Sequence, residues 1–311
     1  DFDEATLAPC AWDLLRLLTS VQIADDLSGA AERDRRIHSD VLLASYRRTL
    51  SAGRALWVER KVARGEIRKL LKVAASRDQG ELLRERAKRV DARNWRLRLD
   101  GRHALPLHDG DEPRVRALLK AFSAQLGAPR ELRLIHAARR IAGVSSLGLE
   151  RYVAIVRSAG GDPLLLDMKA AINPTLSLQH QTAMPAWRTA AERVVAVQQL
   201  LQAAPPEPLA AVALADHSFI IRELQPQQDQ IGVSKILRSR SGLHEFLADI
   251  GEIVAWSHLR GAGRWGADTV EDLMAFGTDT RWTPTLERCV RGAAHKMRQT
   301  YRRFCRLRWE D

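Results

Sequence analysis

Four short stretches carry residue types and spacings suited to chemistry. The chain opens Asp1-Phe2-Asp3-Glu4, followed by Pro9 and Trp12-Asp13-Leu14. Carboxylates at i and i+2 on an extended segment point the same way, so Asp1 and Asp3 can reach one hard cation. Mg²⁺ suits such a pair because it takes one or two carboxylates together with phosphate oxygens and water. Asp13, opening a helix, can accept hydrogen bonds from backbone N–H groups instead. The plainer reading of this stretch is an acidic terminus followed by a helix cap. A second stretch, Arg140 to Tyr152, holds Gly143, Ser145, Ser146 and Gly148 between two apolar runs. A Gly/Ser turn there leaves backbone N–H groups free to approach phosphate oxygens. No GK[ST] follows, which argues against the Walker loop, and an ordinary hairpin turn is the plain alternative. The third stretch is Pro163-Leu-Leu-Leu-Asp-Met-Lys169. A lysine closing an apolar strand is uncommon inside a protein unless it has a partner. Glu192, on the next helix, is the candidate holder, and a solvent-facing edge lysine is the plain alternative. The fourth is Phe219-Ile-Ile-Arg222-Glu223-Leu-Gln-Pro226, an apolar strand running into a polar break. Such a segment can offer backbone groups to a purine.

The elements that must position these residues fall into two kinds. Helices are expected at 11–23, over most of 34–77 with a break at 51–53, and at 115–126, 189–201, 243–259 and 269–276. A C-terminal amphipathic helix carries Leu286, Val290, Ala293, Met297, Tyr301 and Phe304 on one stripe. Strands are expected at 95–99, 135–141, 152–156, 163–169 and 218–224, with a Pro-rich break at 203–208. The pattern predicts an α+β protein: a small antiparallel sheet with helices before and after it. The segmentation suggests a mainly helical lobe over 1–130, a sheet lobe over 131–230 and a helical segment over 231–311.

Composition narrows the function classes. The 311 residues carry a formal net charge of +11, unevenly spread. Residues 31–100 hold 20 basic against 10 acidic side chains, and residues 281–311 hold 9 against 3. Those two segments are the candidate surface for nucleic acid. Only 17 residues are Phe, Trp or Tyr, so base-stacking platforms are scarce and solvated Arg-rich helices are the simpler reading. Cys10, Cys289 and Cys305 form no CxxC pair and are odd in number, which favours a reducing cytoplasm over a disulfide framework. The longest apolar run, Leu209 to Ala215, is far too short to span a bilayer, so no membrane role is expected.

Taken in order, these stretches resemble one known family, the bacterial domain of unknown function 2252. The resemblance rests on Asp1-Phe-Asp-Glu with Pro9 and Trp12-Asp-Leu, on Arg140-Ile-Ala-Gly-Val-Ser-Ser-Leu-Gly-Leu-Glu-Arg-Tyr152, and on Asp162-Pro-Leu through Lys169. It continues through Arg193-Val-Val with 198–202, Arg222-Glu-Leu-Gln-Pro226 with Asp229, and His258-Leu-Arg with Gly263-Arg264. That family is similar to protein kinases and aminoglycoside phosphotransferases, which implies a two-lobed, kinase-like scaffold binding ATP and Mg²⁺. Under that resemblance Asp1 and Asp3 hold metal, Gly143 to Gly148 cover the phosphates, Lys169 binds phosphate, 222–226 is the hinge and Asp13 braces the catalytic loop. The implied activity is a phosphotransferase acting on an unidentified small-molecule or protein acceptor, with a non-catalytic nucleotide-binding module as the alternative. The order departs from a kinase, because the metal-type segment precedes the glycine turn, as in a circular permutation. Lys169 is followed by Ala170-Ala171, where the family carries Glu-Ala. The family's Gly-Asp-x-His-x-x-Asn segment does not occur either. The expectation is therefore a fragment, inactive as it stands and exposing apolar surface.

Overall fold

Why the chain forms a sheet at all is clearest in its middle third. Residues 151–156, 164–168 and 218–221 combine β-branched, aromatic and leucine side chains in runs too short for a helix. In the computed structural model, which describes residues 2–76, 79–91, 94–126, 132–143, 148–158, 161–178, 185–215, 217–225 and 240–307, these runs are central strands. The described elements are α1 (Ala11–Ser28), α2 (Glu32–Ser51), α3 (Gly65–Ala75), α4 (Gln79–Arg86), β1 (Ala87–Arg89), β2 (Trp95–Leu97), β3 (Ala104–Leu105) and α5 (Asp111–Leu126). There follow β4 (Leu132–Arg140), β5 (Arg151–Ser158), β6 (Leu164–Ala171), a 3₁₀ turn (Thr175–Leu178), α6 (Ala190–Leu201), β7 (Leu209–Leu214) and β8 (His217–Glu223). The chain closes with α7 (Arg240–Gly261), α8 (Val270–Thr278) and α9 (Thr283–Arg306). The architecture is α+β.

Two compact units share these elements. The sheet unit comprises residues 1–6 and 74–229, and the helical unit comprises 7–73 and 230–311. Residues 74–130, expected in a helical first lobe, thus group with the sheet. So do residues 2–6, although the chain then leaves for the other unit.

In the sheet unit six antiparallel strands run in the order β3-β4-β5-β6-β8-β7, with β1 and β2 forming a separate pair. The two faces bury different clusters. One face carries Tyr152, Ala154, Val156, Leu166, Met168, Phe219 and Ile221 and packs on Val115, Leu118 and Phe122 of α5. The opposite face is divided. Val153, Ile155 and Leu165 pack with Leu83, Ala87 and Leu97 toward one end. Ile220 and Leu209 pack with Ala191, Val194 and Val195 of α6 toward the other. Thr189 starts α6 as its cap, its side chain accepting from the Glu192 N–H.

The helical unit is held by one cluster: Leu14 and Leu18 of α1; Leu42, Leu43, Tyr46 and Leu50 of α2; Leu243, Leu247, Ala255 and Leu259 of α7; Leu273 of α8; and Leu286 and Val290 of α9. Gly251 lets α7 press directly on α2, since a Cβ there would lie 2.5 Å from the Leu42 carbonyl oxygen. Gly277 does the same where α8 meets Arg47 and Ser51 of α2. Met297, Tyr301 and Phe304 stay exposed on the second half of α9, as does Leu307 just after its end. Among the described residues no helix is long and apolar enough to cross a membrane.

Candidate functional site

Strand alternation builds the site. On β6, Leu166, Met168 and Ala170 turn toward α5, so Leu165, Asp167, Lys169 and Ala171 turn to the other face. Leu165 and Ala171 join the two apolar clusters at the ends of that face. Asp167 and Lys169 fall in the gap between them. The gap holds a cavity of about 180 Å³ lined by Phe2, Asp3, Asp167, Lys169, Val194, Gln198, Ile220 and Arg222.

Asp167 is the most deeply placed of the charged side chains that line the cavity, only 3% exposed. Arg151 on β5 grips it bidentately, Nε to Oδ1 at 2.8 Å and Nη2 to Oδ2 at 2.6 Å. Arg140, the last residue of β4, donates from Nη1 at 2.7 Å. Arg222, opposite Asp167 in the β6–β8 register, stands further off, with Nε 3.7 Å from Oδ2. Burial by itself would raise the Asp167 carboxyl, but the bonds from Arg151 and the charge of Arg140 outweigh it and bring its pKa to about 2. Burial pulls the Arg140 guanidinium the other way, below its ordinary value, although the Asp167 charge opposes this.

Lys169, two residues on, pairs with the Asp3 carboxylate. The segment that brings Asp3 here is tied down at three further points. Arg193 of α6, buried at 3% exposure, donates to the carbonyl oxygens of Asp3 (2.7 Å), Ala5 (2.5 Å) and Ile172 (3.0 Å). The Glu4 carboxylate accepts from the Thr175 N–H at 2.8 Å. Phe2 packs against the α6 cluster. The Asp-Phe-Asp-Glu stretch and the strand lysine, 166 residues apart, therefore meet on one cavity wall.

The remaining expected residues distribute as follows. Asp1, Ser145 and Ser146 lie outside the described residues. Gly143 and Gly148 flank the β4–β5 connection with φ of +76° and +91°, a conformation that favours glycine. Glu192 does not hold Lys169. It lies in the first turn of its own helix and accepts from the backbone and guanidinium of Arg188 at 2.9–3.2 Å. Its position in the first turn of α6 directs it to the preceding chain. Arg222, expected to act through backbone groups in a hinge, instead lines the cavity with its side chain. Glu223, the next residue, is exposed.

Asp13 belongs to the helical unit. Its Oδ2 lies 3.1 Å from His258 Nε2, and His258 Nδ1 lies 2.9 Å from the hydroxyl of the fully buried Tyr46. The hydrogen bond from His258 lowers the Asp13 carboxyl, while burial raises the Tyr46 phenol. This chain of bonds joins α1, α2 and α7 and braces the helices.

Sequence reasoning passed over Asp167, Arg140, Arg151, Arg193 and Gln198 as site residues. A signal for the first was present, since an acid enclosed by Leu164-Leu-Leu and Met168 on a central strand must be paired. Among the described residues no three His, Cys, Asp or Glu side chains gather closely enough to hold a metal by themselves.

Compared with known proteins, the chain matches over residues 1–307 the family described as an uncharacterized protein conserved in bacteria, domain of unknown function 2252. It belongs to that family. No curated protein and no solved structure matches it.

Proposed function

We propose that this chain is an ATP- and Mg²⁺-dependent phosphotransferase of kinase-like design, with the phosphates received in the sheet unit. One observation carries the reading: the strand lysine and the Asp-Phe-Asp-Glu segment share one cavity, with Lys169 paired to Asp3. Counted from the strand before the glycine-flanked turn, Lys169 lies on the third strand, and a helix follows it. That is the arrangement by which kinase-type sites present a phosphate lysine. A phosphate–metal unit needs one fixed cation and at least one carboxylate side by side, and Lys169 and Asp3 supply both. Asp3 would contribute one carboxylate to Mg²⁺, a cation that keeps water and phosphate oxygens as its other ligands. Bound there, Mg²⁺ would supply charge neutralisation between phosphate oxygens. Lys169 would donate N–H bonds to the same oxygens, and Arg193 would fix the backbone that carries Asp3.

The test is thermal unfolding of the full chain with ATP and Mg²⁺. A rise in Tm is expected for the wild type and for Glu192→Gln, and none for Lys169→Met. No rise in the wild type at millimolar nucleotide would refute the reading. Stabilisation without transfer of phosphate to any acceptor would mark a binding module instead of an enzyme.

A further inference from the structure

The charged side chains that line the cavity are Lys169 and Arg222, 16% and 29% exposed, with Asp167 and Asp3. Behind the lining Arg140 and Arg151, 18% and 11% exposed, add two positive charges that converge on Asp167. Asp167 and Asp3 contribute two negative ones, and Asp3 is 37% exposed. The charges that bear on Arg140 are those of Asp167, Arg151 and Arg222. An excess of buried positive charge is costly unless an anion joins it.

The cations are not equally engaged. Arg151 spends its guanidinium on both Asp167 oxygens and on the Ala142 carbonyl at 3.3 Å. Arg140 is committed to Asp167 at 2.7 Å. Arg222 stands 3.7 Å from the same carboxylate, too far for a hydrogen bond, and faces the cavity beside Lys169. A planar guanidinium held at that distance keeps its forked donors for another oxyanion, which is the geometry arginine uses on phosphate. The cavity volume of about 180 Å³ sets the size of the guest. Sites for whole drug-sized ligands start at about 300 Å³, so this cavity matches a phosphate group or two better than a whole nucleotide.

We infer that the cavity is a polyphosphate subsite in which Arg222 and Lys169 together grip phosphoryl oxygens, with Asp167 as the internal counter-charge that aims Arg222. The inference rests on the phosphotransferase reading for its physiological ligand and deepens it. The sheet unit recognises the phosphate end of the substrate and is indifferent to the base. Arg222 acts through its side chain, in a segment whose backbone was the expected contact.

The experiment titrates the full chain with inorganic tripolyphosphate, without metal, and with adenosine, at constant ionic strength. Tripolyphosphate should raise Tm and bind saturably, and adenosine should do neither. Arg222→Gln should weaken tripolyphosphate binding by about tenfold or more, as loss of one charge-assisted hydrogen bond implies. Arg222→Lys should recover part of the loss, and Lys120→Gln, exposed on α5 against the other face of the sheet, should leave binding unchanged. Circular dichroism of each variant reports whether it is folded. Absence of tripolyphosphate binding to the wild type, or unchanged binding by folded Arg222→Gln, would overturn the inference. ATP with Mg²⁺ stabilising the chain while tripolyphosphate does not would leave the phosphotransferase reading standing and remove this one. Arg222-dependent tripolyphosphate binding with no added effect of ATP would do the reverse.

Discussion

Replacing Asp167 with Asn tests the charge arrangement most directly. The substitution keeps the shape of the side chain but leaves Arg140, Arg151 and Arg222 without their shared anion on a buried strand. Removing one partner from a buried ion pair costs about 3–5 kcal/mol, because the remaining charge is left uncompensated. Titration gives a second route to the magnitude. The native carboxyl has a pKa of about 2 against an ordinary value of 3.8. At about 1.4 kcal/mol per unit, that difference is worth about 2–3 kcal/mol. The sign follows from the depressed native value: the contribution is complete above about pH 5 and is lost as pH falls through 3.8 toward 2. Asp167→Asn should therefore lower the stability of the sheet unit by about 2–5 kcal/mol at pH 7. Its deficit relative to the wild type should shrink by about 1 kcal/mol at pH 3, where the native carboxylate is still ionised but its unfolded counterpart is mostly protonated. Urea titrations pulse-labelled by hydrogen exchange, read on peptides spanning 151–171, report this unit specifically. A loss below about 1 kcal/mol at pH 7, or a deficit that grows on acidification, would refute the reasoning.

Other expectations concern the helical unit and the N-terminal segment. Gly251→Ala forces a methyl to 2.5 Å from the Leu42 carbonyl oxygen and should destabilise the helical unit by about 1–3 kcal/mol in thermal or urea unfolding. Gly292→Ala, on α9 with open space around the new methyl, should instead stabilise by about 0.5–1 kcal/mol. Thr269→Ala removes both bonds of the capping box at the start of α8 and should cost about 1 kcal/mol. Arg193→Met removes three bonds to backbone carbonyls and should release residues 2–6, seen as faster hydrogen exchange at the N-terminus together with loss of any Asp3-dependent Mg²⁺ effect.

How much of this was legible in the sequence depends on whether the signal is local. β5, β6 and β8 announce themselves through runs such as Tyr152-Val-Ala-Ile-Val and Phe219-Ile-Ile, and α6 through Val194, Val195 and Leu201. Leu209–Leu214 was not legible as a strand, because Leu-Ala-Ala-Val-Ala-Leu has neither alternation nor strong β propensity. Its pairing with β8 makes it one. The two-residue β3 exists only through its register with Arg139 and Arg140. The helix expected to resume after the break at 51–53 does so only at Gly65, since Leu56, Trp57 and Val62 are exposed and give no buried stripe to support an earlier turn. The site divides the same way. Lys169 stood out as a charge ending an apolar run. Its partner did not, because Asp3 arrives from 166 positions away and nothing local distinguishes it from Glu192 as a holder. The arginine set required knowing which strands are neighbours: Arg151 lies on β5 and Arg222 on β8, on either side of Asp167.

The division of the chain between the units has a consequence for synthesis. The helical unit takes residues 7–73 and then nothing until 230. The face of α2 that carries Leu42, Leu43, Tyr46 and Leu50 is covered by α7, whose first residue is Arg240. At ribosomal rates of roughly 5–20 residues per second, the interval of about 190 residues between Ser51 and Arg240 lasts roughly 10–40 s. During that time α1 and α2 have left the tunnel with their apolar faces uncovered, and residues 74–229 of the sheet unit are made between the two stretches of the helical unit. A nascent chain of this kind offers a long-lived binding site to a co-translational chaperone, and a ribosome stalled near residue 230 should hold the first two helices in a protease-sensitive state.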